Sequence, residues 1–191
     1  MQIKPGKLLI FSAPSGSGKT TIVKYLLDNL TGLTFSVSAT SRSMRVGEEN
    51  GKDYFFISRE EFRTKISKNE FLEWEEVYNG SYYGTLKCEV DLLLQQGKHI
   101  LFDVDVLGGL NIKQHYQDQA LAVFVMAPSI DTLRKRLCIR STDSDENIQK
   151  RIEKAEFEMT FAHKFDFILH NDDLVTAQNE IKYIVQHFIN T

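Results

Sequence analysis

The chain's 191 residues suffice for one well-cored domain with a small insertion, and exclude two large domains. A content of 42% hydrophobic and 26% charged residues is that of a folded globular protein and excludes disorder, while a net charge of −3 gives no general attraction to nucleic acid or an anionic membrane. Cys88 and Cys138 are too few and too scattered for a disulfide framework or a metal site, the five histidines show no i, i+4 pairing, and the apolar run Leu121 to Ala127 falls far below the roughly 20 residues a bilayer span needs. Together these features imply a cytoplasmic protein with no nucleic-acid, membrane or obligate protein partner.

Along the chain, short apolar runs alternate with longer amphipathic stretches, the pattern of strand-helix-strand units and a parallel sheet covered on both faces. The first strand is expected at Lys7 to Ser12. Directly after it comes Ala13-Pro14-Ser15-Gly16-Ser17-Gly18-Lys19-Thr20, a small-residue turn followed by Lys and a hydroxyl. At that position backbone N–H groups point at an anion and the next helix's N-terminus adds partial positive charge. Lys19 would reach the β- and γ-phosphates of a nucleoside triphosphate and Thr20 would offer its hydroxyl to Mg²⁺. Ala13 replaces the loop's usual first glycine, which is possible only if its φ stays negative.

A helix follows over Thr20 to Leu30, with Ile22, Val23, Leu26, Leu27 and Leu30 at helical spacing and Gly32 beyond its end. Thr34 to Ser38 reads as the second core strand. From Ala39 to about Tyr83 the alternation breaks into a small mixed subdomain: a loop, a strand at Tyr54 to Ile57, a helix opened by the capping box Ser58-x-x-Glu61, a strand at Phe71 to Val77 and a turn at Asn79-Gly80. The pattern then resumes with a helix over Leu86 to Gln96, capped by Thr85, and strands at His99 to Val104, Leu121 to Met126 and Asp166 to Leu169. Between them the polar run Ser141 to Glu146 separates two helices, as a mobile lid would. Asp103 and Asp105 stand at alternate positions at the C-terminal end of their strand, where α/β sheets bind ligands.

The string Phe35-Ser36-Val37-Ser38-Ala39-Thr40-Ser41-Arg42-Ser43-Met44-Arg45-Val46-Gly47-Glu48, then Asn50-Gly51-x-Asp53-Tyr54, Glu70 to Trp74, Tyr82-Tyr83-Gly84-Thr85, Asp103-Val104-Asp105 and Asn171 to Leu174 resemble, in order, the guanylate kinase signature. The resemblance implies an α/β fold: a P-loop NTPase-type core with a central parallel sheet flanked by helices, an inserted small mixed GMP-binding subdomain and a helical lid. It divides the single domain into a core (1–38, 86–135 and 152–191), a GMP-binding subdomain (about 39–85) and a lid (about 136–151). ATP and GMP are the implied substrates, with Mg²⁺ as cofactor.

By the same resemblance, Arg42 and Arg45 grip the GMP phosphate with the hydroxyls of Tyr54 and Tyr83. Glu73 faces the guanine donors, with Ser38, Thr85 and Asp105 completing the base contacts. Asp103 orders the Mg²⁺ waters, although the roles of Asp103 and Asp105 are interchangeable at this level. Arg136, Arg140 and Arg151 converge from the lid on the transferring phosphoryl group, and Asn171 touches the adenine. Leu107 stands where the family commonly has Gln, so it takes no site role. Charge considerations agree, because phosphoryl transfer between two nucleotides needs cations around a dry site and no strong general base. Other readings of the same residues are a basic helix face balanced by Glu153, Glu156 and Glu158, a non-catalytic phosphopeptide-binding relative, and a kinase of a phosphorylated ribose.

Overall fold

The computed structural model describes residues 4–78, 80–140 and 145–191, with no placement of the side chains of residues 78, 139, 140, 145 and 146. Asn79 of the expected turn, residues 141–144 of the polar run and the side chain of Arg140 thus lie outside the described residues. The core elements in chain order are β1 (Leu8–Ser12), α1 (Lys19–Asn29) and β2 (Leu33–Phe35), then a second group, β3 (Ala39–Thr40), β4 (Phe55–Phe56), α2 (Arg59–Ser67), β5 (Phe71–Tyr78) and β6 (Ser81–Leu86). The chain returns through α3 (Lys87–Gln95), β7 (His99–Asp103), α4 (Val106–Tyr116) and β8 (Ala120–Met126), continues through α5 (Ile130–Arg140) and α6 (Asp145–Met159), and closes with β9 (Phe167–His170) and α7 (Leu174–Asn190).

Five strands form a parallel sheet in the order β2-β7-β1-β8-β9, with Phe11 of β1 beside Asp103 of β7 and Val123 of β8. Every residue of β1 is buried because both faces are covered. Leu9 and Phe11 pack with Ile22 and Leu26 of α1 and Ile181 and Val185 of α7, while Leu8 and Ile10 pack with Val90 of α3 and Ile112 of α4. Strand alternation thus splits one apolar run between two cores. The other strands form a mixed sheet, β4-β3-β6-β5, closed over α2 by Phe62, Phe71 and Tyr82, whose rings stack. Helices α5 and α6 pair through Leu133, Leu137, Ile148, Ile152 and Ala155.

Two local expectations are corrected. The second core strand ends at Phe35 rather than Ser38, because after one more sheet bond, Ser36 N–H to Leu101 O at 2.9 Å, the chain crosses to the mixed sheet and starts β3 at Ala39. Thr85 is not a helix cap: it pairs within β6, Leu86 stands at the start of α3 without a side-chain cap, and the Thr85 hydroxyl is committed across the sheet. Ser58 does cap α2, accepting from the Glu61 N–H at 3.0 Å. Among the described residues no helix is long and apolar enough to cross a membrane.

Candidate active site

The 13–18 loop rises from the C-terminal end of β1 into α1. Gly16 and Gly18 take φ of 91° and 93°, left-handed values that a side chain would strain, and Gly18 starts the helix. Ala13 is absent from the positive-φ residues and packs in the core beside α1, so it meets the condition its substitution imposed. Asn171, after β9, is buried and donates its side-chain amide to Ser17 O at 2.7 Å, beneath Gly18. One of its amide hydrogens is therefore committed to holding the loop, a role the sequence did not suggest, and the residue also lines a cavity of about 400 Å³ with Gly16, Thr21, Arg136 and Leu174. Arg136 donates to Gly16 O at 3.2 Å.

On the loop's other side, a cavity of about 350 Å³ is lined by Ala13 to Gly16, Lys19, Thr20, Asp103, Asp105 and the α6 residues Arg151, Lys154 and Glu158. Lys19 Nζ lies 2.7 Å from Asp103 Oδ1 and 2.7 Å from Val104 O, so two of its three ammonium hydrogens are committed to the end of β7. Arg136 and Arg151 flank the loop in different cavities. Glu158 is not part of a solvated helix face: it is buried on the phosphate side, whereas Glu153 and Glu156 are exposed.

A third cavity, about 240 Å³, opens between the two sheets and is lined by Phe35, Ser38, Asp53, Tyr54, Thr85, Asp103 and Val104. At its base side, Thr85 donates to Glu73 Oε1 at 2.6 Å and Asp105 Oδ1 accepts the Gly108 N–H at 2.6 Å, capping α4. A side chain at Gly108 would meet both carboxylates, so Glu73 and Asp105 converge at that helix N-terminus. Burial pushes the Glu73 carboxyl up to about 7, against the Thr85 hydrogen bond and with help from the neighbouring charges of Asp105 and Glu75. Leu107 is exposed and takes no part.

Arg42 donates Nε to the Tyr83 hydroxyl at 3.2 Å and pairs with Glu48 through Nη2–Oε1 at 2.6 Å and Nη1–Oε2 at 2.7 Å. A further Nη1 bond to Ser43 O at 2.9 Å leaves one guanidinium hydrogen uncommitted. The Arg42 guanidinium also sits over the Tyr54 ring, 5.0 Å from its centroid. Glu48 accepts the Arg45 N–H as well, and these bonds, the Arg42 side chain first, hold its carboxyl down to about 2. The signature string included Glu48, but only the fold showed that it pairs with the Arg42 guanidinium and accepts the Arg45 backbone N–H; its i+6 and i+3 spacing to them within one loop was the available signal. Arg45 itself is exposed.

The parallel sheet with an anion loop after β1 and a second cavity abutting it defines a phosphotransferase of the P-loop class. A family model described as guanylate kinase matches residues 5–188. The guanylate kinase of Bacteroides thetaiotaomicron is 55% identical over 97% of this chain and 91% of its own length, and that of Porphyromonas gingivalis 53% identical over 96% of this chain and 98% of its own. A crystal structure of guanylate kinase from Anaplasma phagocytophilum superposes with a TM-score of 0.73 at 28% identity, covering 98% of this chain and 88% of that one. On this likeness, which runs through all three cavities, the chain belongs to the guanylate kinase family and is an ATP:GMP phosphotransferase.

Proposed function

We propose that ATP lies along the loop with its base side toward Asn171 and its phosphates toward Lys19, while GMP fills the cavity between the sheets. The observation that carries this reading is that the second and third cavities share Asp103 and Val104, so a triphosphate in one and a monophosphate nucleotide in the other meet end to end. Glu73 accepts the N1–H and N2–H of guanine, with Ser38, Thr85 and Asp105 beside it. Adenine presents no such donor pair and would leave the carboxylate poorly paired. Arg45, the remaining Arg42 donor and the hydroxyls of Tyr54 and Tyr83 take the GMP phosphate.

A GMP phosphate oxygen, already ionised near neutral pH, attacks the γ-phosphorus in line. The new P–O bond forms as the bond to the β-phosphate oxygen breaks, giving GDP and ADP with no enzyme-bound intermediate. Lys19 turns its third ammonium hydrogen to the transferring group, and Arg136, Arg140 and Arg151 complete its neutralisation from a lid formed by about 136–151. Thr20 and Asp103 present hard oxygen donors at the mouth of the loop that would hold Mg²⁺, which would supply positive charge to the donor phosphates. The mixed sheet of about 39–85 acts as the GMP-binding subdomain and draws toward the core. Both cysteines are exposed and free, which suits the cytoplasm.

A nucleotide-panel kinase assay with millimolar Mg²⁺ tests this reading. GMP-dependent ADP release with little response to AMP is expected, and release without GMP preference overturns the pocket assignment. Small-angle scattering should show a smaller radius with both nucleotides bound, and an unchanged radius contradicts closure.

A further inference from the structure

Helix α6 carries three charged residues on the face that lines the phosphate cavity: Arg151, Lys154 and Glu158, at i, i+3 and i+7. The resemblance gives only the first of these a role. Lys154 is anchored by α6's apolar seam, since Ile152 and Ala155 on either side of it are buried against α5, yet its side chain remains 68% exposed. Its short ionic neighbour among the described residues is Glu158, at a loose 3.8 Å.

Three cations, Lys19, Arg151 and Lys154, face three carboxylates, Asp103, Asp105 and Glu158, around this cavity. Without Lys154 the carboxylates would outnumber the cations in a site that must take the phosphates of two nucleotides. The position of Lys154 also tells which nucleotide it serves. Its charge reaches Glu75 on β5, whose carboxyl is raised by burial and by Asp105 and lowered by Lys154. Glu75 pairs across the strands with Tyr83, the residue whose hydroxyl receives Arg42 Nε. Lys154 thus lines the cavity that shares Asp103 and Val104 with the one between the sheets, and its charge acts on a carboxylate of the mixed sheet.

We propose that Lys154 is a further phosphate-contacting residue, a lysine of α6 that leaves Glu158 to bind the GMP phosphate at its junction with the transferring phosphoryl group. The proposal rests on the ATP and GMP placement above. A lysine suits the position because its compact ammonium on a flexible stem can cross a cleft of changing width, where a planar guanidinium needs a fixed partner.

The test compares wild type, Lys154→Gln and Lys154→Arg in steady state at low and high salt, and titrates GMP calorimetrically into the ADP-loaded protein. Lys154→Gln should lower kcat/KM for GMP and weaken GMP binding by about tenfold, the size of one charge-assisted hydrogen bond, with the KM for ATP unchanged and a shallower salt dependence. Lys154→Arg should recover most of the loss. The proposal is overturned by a Gln variant indistinguishable from wild type, by a loss confined to the KM for ATP, or by equal losses in both variants with a lowered Tm, which marks a structural role. A wild-type protein that binds GMP but transfers no phosphoryl group contradicts the placement of the donor, and the calorimetric comparison still decides the lysine.

Discussion

On the proposed reading, the groups that meet phosphate around Lys19 are backbone amides of one short loop between β1 and α1, whereas around Arg42 they are side chains gathered from β6 and the 42–54 segment. The loop is rigid by construction: its strand is buried on both faces, Asn171 ties Ser17 from the far end of the sheet, and left-handed glycines set its curve. The acceptor side rests on a small mixed sheet with its own core, and Arg42 is held by side chains, Glu48 of its own segment above all and Tyr83 of β6. In both regions the key cation is paired before any nucleotide arrives, Lys19 with Asp103 and Arg42 with Glu48. Such pairing keeps long cationic side chains in one geometry, so less freedom is lost when a phosphate enters. The difference is that the donor side fixes an anion by chain geometry, and the acceptor side by a network of charges.

The largest effect expected is at the donor side. Lys19→Met should lower kcat by roughly 10²–10³-fold, because it removes a charge aimed at the transferring group, while circular dichroism and Tm stay near wild type. Near-normal turnover would show that the loop's amides suffice without the lysine. Glu73→Gln comes next: its GMP over AMP preference, measured as a ratio of kcat/KM values, should fall by about 10²-fold.

The same carboxyl gives the acceptor side a pH dependence. Guanine requires the ionised form, so with a folded-state value near 7 the KM for GMP should rise as pH falls below neutrality, and the KM for ATP should not. Stability runs the other way. Between about 4.5 and 7 the folded state holds a proton that the unfolded state has lost, so Glu73 costs stability as pH rises through this window. Glu73→Gln should accordingly melt higher than wild type at pH 8 and lose that advantage at pH 5.

Gly18→Ala strains a left-handed backbone and drives a Cβ into the Asn171 amide, so a loss of about 1–3 kcal/mol in stability is expected, with weakened ATP binding and an unchanged KM for GMP. An equal loss on both substrates would mean that the loop also shapes the acceptor cavity. The smallest effect is expected from Glu48→Gln, which keeps the shape of the arginine brace and removes its charge. The KM for GMP should rise a few-fold with kcat retained, and a drop in kcat would show that Glu48 acts on the transfer step itself.

The donor loop was legible because its elements are contiguous: an apolar strand, a small-residue turn and Lys-Thr opening an amphipathic helix. The alternation of apolar runs likewise announced the parallel sheet, and the Ser58 cap announced α2. Thr85 was misread as a cap because a hydroxyl before a helical stretch gives the same local pattern whether it bonds forward or across a sheet to Glu73. Glu158 looked like surface charge for a similar reason, since helical periodicity shows which residues share a face without showing what that face meets.

The amino-acid sequence by itself determined the core strands of the parallel sheet, the anion loop and the set of charged residues available to a nucleotide, because propensity, periodicity and turn chemistry act over a few neighbouring positions. Only the tertiary structure decided that Asp103 and Val104 are common to two cavities, that Glu48 and not solvent faces Arg42, and that Lys154 lines the cavity beside the loop. Those relations join residues up to scores of positions apart. They arise from the packing of two sheets and a helix pair around shared cores, which no local pattern encodes.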